Sequence, residues 1–319
     1  MNPLNDIRAL VGSMPAHEER VSAQVKHKLD DATSGLKPLG KLGEAVSWIG
    51  AWQGSETPKI KHPMVCVFIG AHGVAQYVLG EDPKNLARKR LETFSDGKAA
   101  IRGIAGTHGA AFKIYNMGIE KPSLDMREHA SLSAQECAAA IAYGMEVVAE
   151  GADLIILGNA GVGGATAAAA IALGLYGGSA QYWASGDDAL AKRRIDAVEA
   201  ATSTHKAILG DPLEILRCFG GRDIAGLVGA MIAARHQKIP VLLDGFVVCA
   251  AAAVLHRLDA QALDHCLAAH VTKEPGHGAL LDRIGKSPLL DFGIGVGDGS
   301  GATLAAGAIM AAVAANQEL

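Results

Sequence analysis

Short apolar runs alternate with longer stretches of helical periodicity along most of the chain. Pro63–Gly70 (PMVCVFIG) is a continuous apolar run that leads into Ala71-His72-Gly73-Val74. Lys113–Met117 (KIYNM), Ala152–Leu157 (ADLIIL) and Pro240–Leu243 (PVLL) repeat the pattern, and Leu289–Ile294 (LLDFGI) is a candidate fifth strand. Helical segments fall between them at Pro83–Phe94, Ser133–Glu150, Thr166–Leu175, Asp187–His205, Asp223–His236 and Val247–Leu258. A strand buried on both faces loses the polar alternation of a half-exposed one, so apolar strands separated by helices specify a covered parallel sheet. The expected fold class is α/β, a doubly wound, mostly parallel sheet flanked by helices.

Residues Asn2–Trp52 have a different character. They are charged, with Val21, Val25 and Leu29 at helical spacing. Leu36–Gly43 (LKPLGKLG) breaks the pattern before a helix over Glu44–Trp52, and the polar stretch Gly54–Pro63 links this region to the strands.

Composition narrows the class. Aromatics are only 4% while half of the 319 residues are hydrophobic, which suits helices packed closely on a sheet. A net charge of −4 leaves no basic footprint for nucleic acid. The one cationic cluster, Lys84–Arg90 (KNLARKR), reads as a solvated helix face. The five cysteines are scattered, odd in number and never spaced C-x-x-C, as expected for reduced thiols of a cytoplasmic protein. Ala160–Gly178 is crowded with Gly and Thr, and Phe246–Leu255 is too short to span a bilayer, so no membrane association is expected.

Three predicted strand ends carry small or functional residues: Gly158–Thr166 (GNAGVGGAT), Asp244-Gly245, and Gly297-Asp298-Gly299-Ser300-Gly301. Ligands in doubly wound folds sit beyond the carboxyl ends of strands, so the convergence of these three marks a site. Gly158–Thr166 lacks both the dinucleotide fingerprint and a Walker lysine. Its two readings are a phosphate cradle of backbone N–H groups, which is favoured, and close packing of small residues. The stretch around Asp298, with Glu274 and His277 upstream, reads equally as a binding site or as a connection whose aspartate caps the next helix. In Gly220–Gly226, Asp223 is placed to cap a helix and Arg222 reads as a surface residue. His72 and His277 have no metal-ligand partner at helical spacing, so no metal is expected. Neither a G-x-S-x-G nucleophile elbow nor a Cys–His pairing is present.

Long blocks resemble the nicotinate-nucleotide:dimethylbenzimidazole phosphoribosyltransferase family of cobalamin lower-ligand synthesis. The clearest are Asp211–Leu255 and HVTKEPGHGALLDRIGKSPLLDFGIGVGDGSGATLAAG from His270. LKPLGKLG near residue 36, GAHGVA near residue 70 and GNAGVGGAT near residue 158 support them in the same order. The resemblance implies a homodimer, and a small helical domain built from both chain ends. Residues 1–54 and the C-terminal helix 301–319 would flank an α/β nucleotide-binding domain over 63–300. It implies transfer of the ribose phosphate of nicotinate mononucleotide to a benzimidazole-type base, without a cofactor.

In the family a glutamate of a G-E-G-T-G loop accepts the N–H proton of the incoming base, and it aligns with Asp298, which is therefore the expected general base. The resemblance places the substrate on Gly158, Asn159, Gly161, Gly163 and Thr166, with Lys192 of DDALAKR near the phosphate. Asp244, Thr272 and Gly297 complete the nucleotide side. Gly80 and Arg88 fall where the family places a serine and an amide that line the base pocket.

The chain departs from the family at these positions. Asp298 is one methylene shorter than the glutamate, about 1.5 Å of reach where near-attack contacts need about 3–3.5 Å. The family pattern G-E-M-G-I-G-N-T-T reads GNAGVGGAT, so Asn159 replaces a second carboxylate, and the family D-H-G-V has Ala71 for its acid. Two readings follow: a working transferase with an altered base pocket, which is favoured, and a catalytically impaired paralogue that binds a nucleotide or serves as a regulatory scaffold.

Overall fold

A computed structural model of the chain describes residues 2–32, 39–186 and 189–318. Leu36, Lys37 and Pro38 of the predicted loop, and Asp187 at the predicted helix start, lie outside the described residues. The chain begins with α1 (Leu4–Gly12), α2 (Glu19–Ala32) and α3 (Lys41–Gln53). The first half of the sheet region follows as β1 (Pro63–Ile69), α4 (Val74–Leu79), α5 (Pro83–Ser95), α6 (Ala100–Thr107), β2 (Ala111–Asn116) and α7 (Ala134–Gly144). Next come β3 (Leu154–Asn159), α8 (Gly164–Tyr176), α9 (Ala180–Ala184), α10 (Ala191–Thr204), α11 (Pro212–Phe219) and α12 (Arg222–His236). The chain closes with β4 (Val241–Leu243), α13 (Gly245–Leu258), β5 (Cys266–Ala268), α14 (Pro275–Arg283) and α15 (Ser300–Gln317).

The sheet has the order β2-β1-β3-β4-β5, and every pair is parallel. Every residue of β1 and of β3 is buried, as their uninterrupted apolar sequences require. Alternate residues of β1 go to opposite layers. Met64, Cys66 and Phe68 pack with α7, α8, α12 and α13, while Val65, Val67 and Ile69 pack with α3, α6 and α15. The period of two in the strand thus builds two cores at once. Sequence-local signals set the helix starts. Asp82 accepts a hydrogen bond from Lys84 N ahead of Pro83, and Ser133 and Glu136 form a reciprocal capping box on α7.

The fifth strand is Cys266–Ala268, and this corrects the candidate Leu289–Ile294. Only Leu289 and Leu290 of that run pair with it, through their N–H groups to Ala268 O and Ala269 O at 3.1 and 3.0 Å. Gly293 then adopts φ +65°, a left-handed conformation that turns the chain away and leaves Phe292 65% exposed. The helix α3 lies against α15, and Lys28 Nζ donates to Asn316 O, so the two chain ends meet. The helix α1 docks on the other layer, where Arg8 pairs with Asp211 at 2.6 Å. Among the described residues no helix is long and apolar enough to cross a membrane.

Candidate functional site

The chain runs from β1 outward to β2 and returns to β3 on the other side of β1, so the topological switch point lies between β1 and β3. The chain segments leaving the two strands remain paired there by a bridge between Ala71 and Val162. His72 N donates to Val162 O at 3.0 Å, and Val162 N donates to Gly70 O at 2.9 Å. Below the loops sits a buried polar chain. His72 Nε2 lies 3.0 Å from Asp223 Oδ1, and Asn159 Nδ2 donates to Asp223 Oδ2 at 2.9 Å. Asn159 Oδ1 in turn accepts from Gly161 N at 2.9 Å. Burial pushes the Asp223 carboxyl up, but His72 and Asn159 outweigh it and hold the group below its ordinary value. Asp223 is thus buried inside this network and does not cap α12, while Arg222 bonds to Lys121 O and Glu136.

A second buried pair lies under the end of β4. His270 Nε2 is 3.0 Å from Asp244 Oδ1, and Asp244 Oδ2 accepts from Ala302 N at 2.6 Å in the first turn of α15. Burial raises the Asp244 carboxyl, and Asp244 in turn raises His270 against the lowering effect of its own burial. This pair ties α15 to the sheet.

Above these pairs is a cleft of about 570 Å³ lined by Asn159, Ala160, Gly161, Phe246, Glu274, Gly297 and Asp298, with one face of α5 opposite. That face is Leu86, Lys89, Arg90, Thr93 and Phe94, the i, i+3, i+4, i+7, i+8 stripe of one helix side. Arg90 Nη1 donates to Ala160 O and Gly161 O at 3.2 and 2.9 Å, which pins the guanidinium to the cleft wall. A second cleft of about 520 Å³ shares Ala165, Phe246, Glu274 and Gly295 with the first, and adds Trp183, Ser185, Arg194 and Lys273.

Asp298 is held by the main chain. Its Oδ1 accepts from Ser300 N at 3.1 Å, and Asn159 N donates to Gly297 O at 2.7 Å. A side chain on Gly158 would overlap the backbone of Asp298 and Gly299, so glycine is required for this approach. Gly163 caps α8 at φ +85°, and the first N–H groups of that helix adjoin Ala165, which lines both clefts.

The structure brings Asn159, Gly161, Gly297 and Asp298 together in one cleft. Gly158 lies against the backbone of Asp298 and Gly299, Gly163 packs on His72 and Ala75 outside the cleft, and Thr166 is buried on α8. Asp244 is fully buried beneath the floor, and Thr272 is buried with its Oγ1 2.8 Å from His277 Nδ1. Lys192 lies away from both clefts and pairs with Asp196 on the exposed side of α10. Arg88 likewise points to Glu120 at the surface, and Gly80 ends α4 at φ +77° beside Arg193. Sequence reasoning missed Arg90, Lys273, Arg194 and Phe246. For Arg90 the signal was available: it stands four residues from Leu86 and Phe94 on the same stripe.

Two buried histidines, His277 near the clefts and His265 at the opposite, amino end of β5, are held neutral. Thr272 N donates to His277 Nδ1 at 2.9 Å, so the ring proton sits on Nε2, 3.3 Å from Cys249 Sγ. Burial lowers His277 and His265 from 6.5 to about 3 each. The unfolded chain takes up protons below pH 6.5 that the native rings refuse, so stability falls as pH drops from about 6.5 towards 3. The lowered Asp223 acts in the same direction, and the raised His270 opposes it. A lower thermal midpoint at pH 5 than at pH 7.5 is expected from calorimetry. An unchanged midpoint would mean that the two rings accept protons in the native state.

A doubly wound α/β sheet with two adjoining clefts beyond its strand ends, each lined by carboxylates and cations together, defines a protein built to handle a charged small molecule. Comparisons with known proteins resolve the class further. A family model described as phosphoribosyltransferase matches residues 14–319. The nicotinate-nucleotide–dimethylbenzimidazole phosphoribosyltransferase of Methylocella silvestris is 45% identical over 98% of this chain and 93% of its own length. That of Brucella canis is 42% identical over 97% and 93%. The crystal structure of the Thermus thermophilus enzyme superposes with a TM-score of 0.86 at 28% identity, covering 93% of this chain and 96% of that one. The chain belongs to the nicotinate-nucleotide–dimethylbenzimidazole phosphoribosyltransferase family.

Proposed function

We propose that the protein moves the phosphoribosyl group of nicotinate mononucleotide to dimethylbenzimidazole or a related base, giving an α-riboside phosphate and nicotinate. A ring nitrogen of the base forms a bond to C1′ as the bond from C1′ to the pyridinium nitrogen breaks. The bonding pair returns to the pyridine ring, whose nitrogen leaves neutral, so departure needs no acid. The base, however, becomes cationic unless its N–H proton is removed, and Asp298 is assigned that proton. The observation that carries this reading is the joining of the Asp298 cleft to the cleft of Lys273 and Arg194. The first suits a flat base beside a proton acceptor. The second suits the phosphate, with the N-terminus of α8 at the junction. Holding both reactants on either side of one ribose supplies much of the acceleration.

We assign the active form as a homodimer, as the family resemblance implies; Phe292 and Val296 are exposed beside the cleft and would be covered by a second copy. Five buried free cysteines support a cytoplasmic location.

The test is chromatographic. Purified protein with nicotinate mononucleotide is expected to release nicotinate only when 5,6-dimethylbenzimidazole is added. Nucleotide binding without release, across a panel of benzimidazole, purine and phenolic acceptors, would overturn the assignment.

A further inference from the structure

Glu274 is the carboxylate common to both clefts. Its Oε2 is shielded from solvent and has no hydrogen-bond partner among the described residues. A buried carboxylate oxygen left without a donor is costly, and it is tolerated where a ligand supplies the donor. Of the neighbouring acids, Asp223 is bonded to Asn159 and Asp244 to Ala302 N and His270, while Asp298 holds Ser300 N through one oxygen and keeps the other for the proton of the base. Glu274 stands at the N-cap of α14, yet its side chain accepts no bond from the N–H groups of the following turn. The local fold therefore fixes the Glu274 backbone and leaves its carboxylate for another purpose. Gly276 packs its backbone on Phe246 and Trp183, so the residue is set on a rigid turn at the junction.

We propose that Glu274 is a positioning residue that holds the ribose of the nucleotide by accepting hydrogen bonds from its 2′- and 3′-hydroxyls. An ionised carboxylate is an acceptor only, and a vicinal diol presents two donors at matching separation. In a nucleotide the ribose lies between the ring and the phosphate. A group shared by a base cleft and a cationic cleft therefore meets the sugar. Lys273 and Arg194 on the same rim draw the phosphate to one side and fix which part of the ligand reaches Glu274. The assignment rests on the phosphoribosyl reading given above, and it adds the specificity for a ribo over a deoxyribo donor.

The experiment compares nicotinate mononucleotide with its 2′-deoxy and 3′-deoxy analogues, by calorimetric binding and by kcat/KM. The proteins are wild type, Glu274→Ala and Glu274→Gln, with circular dichroism as the check of folding. Wild type is expected to prefer the ribonucleotide by about 10- to 100-fold. Glu274→Ala is expected to bring the three donors within about twofold of one another. Glu274→Gln keeps one acceptor oxygen and should lose part of the preference, which preserves the test if the alanine variant does not fold. A variant that keeps the full wild-type preference would overturn the role, because a purely structural glutamate would weaken all donors alike. Wild type that binds with a ribo preference but releases no nicotinate would sink the transferase reading and leave the Glu274 assignment standing. Wild type that binds none of the three donors would overturn both.

Discussion

Asp298→Asn is expected to lower base-dependent nicotinate release by about 10²- to 10⁴-fold, the usual contribution of a positioned general base. Asparagine has the same shape and keeps an oxygen to accept from Ser300 N, the bond that Asp298 Oδ1 makes at 3.1 Å. The loop therefore stays in place and only proton acceptance is lost. Among the described residues Asp298 Oδ2 has no protein partner, so one oxygen remains for the substrate proton. Asp298→Glu restores the family length and is expected to retain activity. Initial rates with saturating nucleotide and base decide the matter. An asparagine variant within tenfold of wild type would move the proton acceptor to another residue or to water.

Gly229→Ala is expected to destabilise the protein by about 3 kcal/mol, the upper part of the range for overpacking. The helices α7 and α12 meet backbone to backbone. A side chain at Gly229 would overlap Ile141 O, and one at Gly144 would overlap Gly226 O. Neither obstacle is a flexible side chain that could swing aside, so a whole helix must shift. The gain in helix propensity on replacing glycine, about 1 kcal/mol, is too small to compensate. Gly103 of α6 is the control, since it is exposed and a Cβ there meets nothing within 4 Å. Gly103→Ala should stabilise by about 0.5–1 kcal/mol. Scanning calorimetry is expected to show a fall of about 5 °C for Gly229→Ala and a small rise for Gly103→Ala. Equal behaviour of the two variants would mean that the helix pair tolerates separation.

The sheet was legible in the sequence because its strands are long apolar runs bounded by turns. β1 and β3 were placed by PMVCVFIG and ADLIIL alone. β5 was not, since three residues following Asp264-His265 carry too little pattern, whereas LLDFGI has strand composition but pairs only through Leu289 and Leu290. Asp298 was legible because glycines isolate it. Glu274 stood out beside the Pro-Gly-His turn, but its unpartnered oxygen is a fact of packing that no sequence displays. Lys192 drew attention through a matched segment, and the structure sets it on an exposed helix face. Arg90 was obscured by its neighbours, because a run of cations looks solvated until the helix is wound and one member turns inward. Asp223 read as a cap since it begins a helix. Its pairing with His72 depends on a contact across 151 positions (223 − 72), and local pattern cannot register that.

The loop bearing Asp298 is fastened through its main chain, by Asn159 N to Gly297 O and by the bare face of Gly158. Of the side chain itself, only the acceptor oxygen on Ser300 N takes part in holding the loop. The position behaves as an interchangeable fitting on a fixed mount. Descendants of one ancestral scaffold can exchange a long acid for a short one there, and so adjust to acceptors of different thickness, without disturbing how the domain folds.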